Sequence, residues 1–182
     1  MATMASLCGG TAHLSPLLRK ARALGLETPD SLLRLAILRG CTHYVPADYN
    51  PLEVTDPGEE RFGNEELGVA LISGAQEYEP QRMRCAAQLL SGKGLNVEAL
   101  SRLALMERCE DALAYIAKQG SQWDVEGKAF WTKLSSLLPK SLLEASEVWP
   151  HPSRFMLQPG YRRGGAMHTP VWLRPRTEGI AV

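Results

Sequence analysis

Apolar residues recur along this chain with helical rather than strand spacing, and three stretches placed 34 residues apart carry nearly the same template. These are PDSLLRLAILRGC at 29–41, GNEELGVALISGA at 63–75 and VEALSRLALMERC at 97–109. At aligned positions Leu35, Val69 and Leu103 precede Ala36, Ala70 and Ala104, then Ile37, Leu71 and Leu105, then Leu38, Ile72 and Met106. Each segment predicts one amphipathic helix. Further helices are expected near 15–24, 80–91, 109–119 and 126–138, giving seven with those near 29–39, 64–73 and 97–107.

Punctuation supports these spans. Ser15 before Pro16 and Thr28 before Pro29 place a capping hydroxyl ahead of a proline at the first helical position, where a missing N–H is harmless. Asn64 and Asn96 are expected caps, with Glu65, Glu66 and Glu98 complementing the helix dipole. Gly25, Gly40, Gly74, Gly92 and Gly120 follow apolar runs and predict left-handed stops. Helix 29–39 is apolar on most sides apart from Arg34 and Arg39, which predicts a central position. Helix 80–91 reads as one-sided, with Gln81, Arg84, Gln88 and Ser91 opposing Met83, Ala86, Ala87 and Leu90. In the last helix Phe130, Leu134 and Leu137 have core spacing.

Two segments break the pattern. Residues 42–62 contain three prolines and turn-forming Asp and Asn, and read as an ordered loop. Residues 147–176 contain five prolines, and the β-favouring runs at 154–158 and 171–174 predict a β-hairpin within 154–174. The expected organisation is a flexible N-terminus at 1–14, a helical domain at 15–146 and a C-terminal arm at 147–182. The fold class is mainly α, a helical-hairpin bundle or short α-solenoid-like array with a C-terminal irregular or β-hairpin arm. The partner helices do not repeat at the 34-residue offset and a fourth copy near 131 fails, so the spacing reads as recurrence of similar core helices. The Trp, Gly and Tyr signature of tetratricopeptide repeats is absent.

Composition narrows the function. At 182 residues with 45% hydrophobic and 22% charged, the chain is long enough and apolar enough to bury a substantial core. Net charge is zero but uneven: five cations face four anions over 1–55, ten face fourteen over 56–146, and five face two over 147–182. An acidic middle thus precedes a basic end. The four cysteines at 8, 41, 85 and 109 form no CxxC pair and predict no disulfide framework. The N-terminal residues lack a charged-then-apolar leader and no run is long enough to span a membrane, so cytoplasmic residence without a membrane is the expectation.

No stretch has catalytic or cofactor spacing. Ser91-Gly92-Lys93-Gly94 lacks the spacing of a phosphate loop and reads as a helix stop followed by a start. Cys8, His13, Cys41 and His43 offer tetrahedral zinc chemistry at unfamiliar spacings, and no metal or cofactor is assigned. Cys41 and His43 lie beyond a helix C-terminus, whose dipole disfavours a thiolate. The acidic clusters Glu59-Glu60, Glu65-Glu66 and Glu107 with Glu110-Asp111 read as solvated helix starts and loop faces. The leading expectation is a non-enzymatic scaffold or adaptor that binds another protein through a helical surface or the loop. The alternative is nucleic-acid binding by Arg154, Phe155, Tyr161, Arg162, Arg163, Trp172, Arg174 and Arg176, arginines meeting phosphates and rings stacking on bases. The plainer reading of those late rings is that they staple the end of the chain onto the helices.

Overall fold

A computed structural model describes residues 14–140, 156–157 and 171–176. The protein is mainly helical. Among the described residues there are seven α-helices, α1 (Pro16–Ala23), α2 (Pro29–Leu38), α3 (Asn64–Leu71), α4 (Pro80–Leu89), α5 (Val97–Met106), α6 (Glu110–Trp123) and α7 (Lys128–Leu137). Two short strands, β1 (Met156–Leu157) and β2 (Val171–Trp172), pair antiparallel with Met156 opposite Trp172. The expected flexible terminus, but for Leu14, and the intervening part of the expected hairpin fall outside the described residues.

The helix starts follow from local hydrogen bonding. Ser15 Oγ accepts from Leu18 N at 3.2 Å, and Asn96 Oδ1 accepts from Ala99 N at 2.8 Å. Thr28 and Ser31 exchange reciprocal bonds, both 3.1 Å, ahead of α2. Asn64 is not a cap, because the helix already includes it and Gly63 precedes it. Glu66 reaches back to Gly63 N at 3.2 Å and supplies the missing acceptor.

Three helices end in the same geometry. After α1, α2 and α5 the residues Gly25, Gly40 and Arg108 have positive φ, and the following N–H returns to the helix as Leu26 to Ala21 O, Cys41 to Ala36 O and Cys109 to Ala104 O. This six-to-one bond closes the Schellman motif. Gly74, Gly92 and Gly120 are not left-handed stops. A Cβ on Gly74 would strike the Arg108 carbonyl, and its N–H bonds Glu107 O at 3.0 Å, tying the ends of α3 and α5 together. Gly120 lies inside α6, which runs on to Trp123, and a Cβ there would enter the Trp131 ring. The glycine is there for contact with α7.

Helix α2 packs on α3 and α4, while α3 also meets α5, and α7 lies against α5 and α6. Leu32, Leu33, Leu35, Ala36 and Ile37 are all buried, so α2 is central as its composition requires. Each fully buried leucine of this kind stabilises the fold by about 1.5–3 kcal/mol before entropy is counted. In α7 Trp131 and Leu134 are buried, followed by Leu138 just past its end, so Trp131 and Leu138 replace Phe130 and Leu137 of the expected stripe; Phe130 is half-buried and Leu137 exposed. Trp131 takes the inward place because its indole N–H has a buried acceptor in Asp124 at 2.7 Å.

Arg34 within α2 and Arg39 just after it hold the 42–62 loop. Arg34 bonds Asp48 at 2.7 Å, and Arg39 bonds both Asp56 oxygens at 2.6 and 3.0 Å and Phe62 O at 2.7 Å. These bonds hold the Asp56 carboxyl below its ordinary range. The loop contains a 3-10 turn at Pro51–Glu53 and ends on the buried Phe62.

Candidate functional site

Two surfaces gather unusual chemistry. The first is the seam where residues 172–176 cross α4, α6 and α7. Trp172 is buried and meets Trp131 edge-on, with ring centres 5.8 Å apart. Arg174 Nη2 donates to both oxygens of the buried Asp124 at 2.7 and 2.9 Å, and Nη1 donates to Ser91 O at 3.1 Å. Asp124 also accepts from Trp131 Nε1 and from Gly127 N at 3.1 Å, so three donors make four hydrogen bonds to one buried carboxylate.

Helix α4 supplies the other half of this seam. Gln88 Oε1 accepts from Thr42 N at 2.9 Å and His43 N at 3.0 Å, which turns its amide nitrogen toward Arg174 O at 2.9 Å. Ser91 Oγ reaches Leu173 O at 3.2 Å, and Arg176 N donates to Gly40 O at 3.0 Å. Gln88 and Ser91 therefore do not face solvent as their polar stripe suggests. Both are buried because the 173–176 segment lies over them and satisfies them.

Of the eight residues read as a nucleic-acid surface, Trp172 and Arg174 are thus committed to contacts within the chain. Arg176 is exposed. Arg154, Phe155, Tyr161, Arg162 and Arg163 lie outside the described residues, as do Cys8 and His13 of the four potential zinc ligands. Among the described residues no group of three His, Cys, Asp or Glu gathers as a metal site, and no helix is long and apolar enough to cross a membrane.

The second surface is on α5, which carries two apolar stripes. Val97, Leu100 and Ala104 point into the core. Ala99, Arg102, Leu103 and Met106 instead line an open groove of about 490 Å³ with Gly63, Glu59, Glu65 and Glu66. This set has the same three-to-four spacing as the inner stripe. Leu105 and Met106 are 57% and 59% exposed, and three carboxylates line the groove against one guanidinium. Glu66 is bonded by Lys20 at 2.6 and 2.8 Å, and Glu65 accepts from Asn96 N at 3.0 Å, so the acidic edge is held in place.

Glu107 is not part of a solvated acidic face. It is 2% exposed, and its carboxylate accepts from Leu17 N at 3.1 Å and Ser73 Oγ at 2.9 Å, joining the start of α1 to the end of α3. A smaller cleft of about 320 Å³ adjoins it, with Leu71, Met83 and Ala112 beside Tyr78, Arg108 and Asp111. Its thiol, Cys109, is pushed upward in pKa by burial and by the charges of Glu107 and Glu110. Burial also raises Cys41, and raises Cys85 to about 12, the reverse of what an activated nucleophile needs.

Of these features, Gln88, Ser91 and Asp124 were not singled out by sequence as site residues. Their only local signal is a polar stripe on α4 and an acid near the turn before α7. Their partner lies more than 45 residues away in the chain, in residues 173–176. Compared with models of known protein families, with curated proteins and with solved structures, the chain matches none.

Proposed function

We propose that the protein is a non-enzymatic scaffold or adaptor, built as a helical-hairpin array with a C-terminal arm, that binds another protein along α5. The observation that carries this is the second stripe of α5, with Met106 exposed beside Glu59, Glu65 and Glu66 and its chain neighbour Leu105 equally exposed. A helix with an inward stripe has already satisfied its own fold, so a second stripe serves a second contact. The acidic edge selects the partner's chemistry: an amphipathic helix with apolar residues at three-to-four spacing and lysines or arginines flanking them.

Capture from a native lysate treated with nuclease tests the reading when wild type is compared with Leu105→Ser combined with Met106→Ser. Because both side chains are more than half exposed, the double variant should fold as wild type does. A protein with a basic amphipathic helix retained by wild type and lost from the double variant supports the proposal. Equal retention by both removes α5 from the interface. Recovery of nucleic acid alone, before nuclease treatment, favours the alternative reading of the Arg154–Arg176 set, which Arg162→Ala with Arg163→Ala would then test by salt titration.

A further inference from the structure

The seam at Asp124 has the build of a receptor, with its donors and acceptors oriented by bonds that do not involve the 172–176 segment. Gln88 is turned by Thr42 N and His43 N, and Asp124 is fixed by Trp131 Nε1 and Gly127 N. Gly40, at φ +96°, brings its carbonyl to Arg176 N, and a Cβ there would strike the Arg176 backbone. What this receptor reads can be stated position by position. Trp131 meets an aromatic ring edge to face, Ser91 and Gln88 take two successive carbonyls, Asp124 takes one guanidinium nitrogen with both its oxygens, and Gly40 takes the N–H two residues later. The intervening residue, Pro175, has no N–H to satisfy.

We propose that this groove is an exchangeable docking site for a Trp-x-Arg-Pro-Arg segment, filled by the chain's own residues 172–176 at low concentration and by the same segment of a second copy at high concentration. The second copy is the occupant because it carries the one sequence the groove is seen to hold. Electrostatics agrees, since residues 56–146 are net acidic and residues 147–182 net basic. Groove and segment belong to one chain, and covalent connection of this kind holds a segment at an effective concentration of about millimolar. The closed monomer therefore dominates in the micromolar range. Reciprocal exchange uses identical contacts and closes as a two-fold dimer without new surface. None of Gly40, Gln88, Ser91, Asp124 and Trp131 lines the groove on α5, so this inference and the α5 reading can fail separately.

The test pairs two full-length variants with complementary defects. Trp172→Ala with Arg174→Ala keeps the groove and loses the segment; Asp124→Ala with Gln88→Ala keeps the segment and loses the groove. Circular dichroism and unfolding midpoints establish that both are folded, with Arg174→Lys and Asp124→Asn as milder substitutes where they are not. Mixed at about 100 μM, the two should form a heterodimer by native mass spectrometry that neither forms alone. A fluorescent peptide spanning residues 170–177 should bind the segment-defective variant, and its Arg174→Ala version should bind at least about tenfold more weakly. Absence of peptide binding overturns the docking site. Peptide binding without heterodimer overturns the second copy as its occupant.

Discussion

Helices α2 and α5 carry the same apolar template and end in the same hydrogen-bonded cap, yet their last two template positions differ in burial, Leu38 being half-buried on α2. Ile37 is fully buried, whereas Leu105 and Met106 are more than half exposed. The difference lies in neighbours, because α2 is covered by α3, α4 and the anchored 42–62 loop, while α5 meets α3, α6 and α7 on its inner stripe. An apolar position on a helix shows that the residue can be buried; it does not show that another element arrives to bury it.

Truncating a side chain on each helix separates the two cases. Leu35→Ala on α2 should lose about 2–5 kcal/mol of stability, and Leu105→Ala on α5 about 0.5 kcal/mol or less, in parallel urea unfolding curves. Similar losses would mean that α5 is covered as α2 is. Gly120→Ala should lose about 1–3 kcal/mol, since its Cβ meets the Trp131 ring between α6 and α7, whereas a true left-handed stop would show strain without repacking of that tryptophan. Indole fluorescence alongside the unfolding curve separates the two.

The thiols give a pH-dependent version of the contrast between core and surface. Burial raises Cys85 from an ordinary value of 9.0 to about 12, so above pH 9 the unfolded chain releases a proton that the native state retains. Stability is unaffected at neutral pH and falls as pH rises through that window, by about 1.4 kcal/mol per unit for this thiol. Cys85→Ala should flatten that slope by the same amount in unfolding curves taken from pH 8 to 11; an unchanged slope would place the thiol in contact with water. The smallest effect is at the shared cap. Arg108 stands at φ 53° where α2 has Gly40 at 96°, so Arg108→Gly should gain up to about 1 kcal/mol by relieving left-handed strain. A loss instead would mean that its side chain holds the 320 Å³ cleft together.

Much of the local structure was legible because it rests on neighbours in sequence. Ser15, Thr28 and Asn96 cap with residues three positions on, and all seven helices stand close to where the periodicity puts them. What failed depended on partners far along the chain. Gly120 looks like a stop only until Trp131 is known to need its space. Glu107 resembles Glu110 in sequence but receives Leu17 N from a helix ninety residues earlier. Gln88 and Ser91 look solvated until residues 173–176 cross them.

A photo-crosslinking amino acid at position 105, beside Met106 of the outer stripe, and as control at the exposed position 52 on the loop, reports whether this face of α5 is an interface. Illumination in cells should couple position 105, and not position 52, to a protein through a basic amphipathic helix, and Met106→Ser should abolish the product. Crosslinks from position 105 that are absent, indiscriminate or indifferent to Met106→Ser would contradict it.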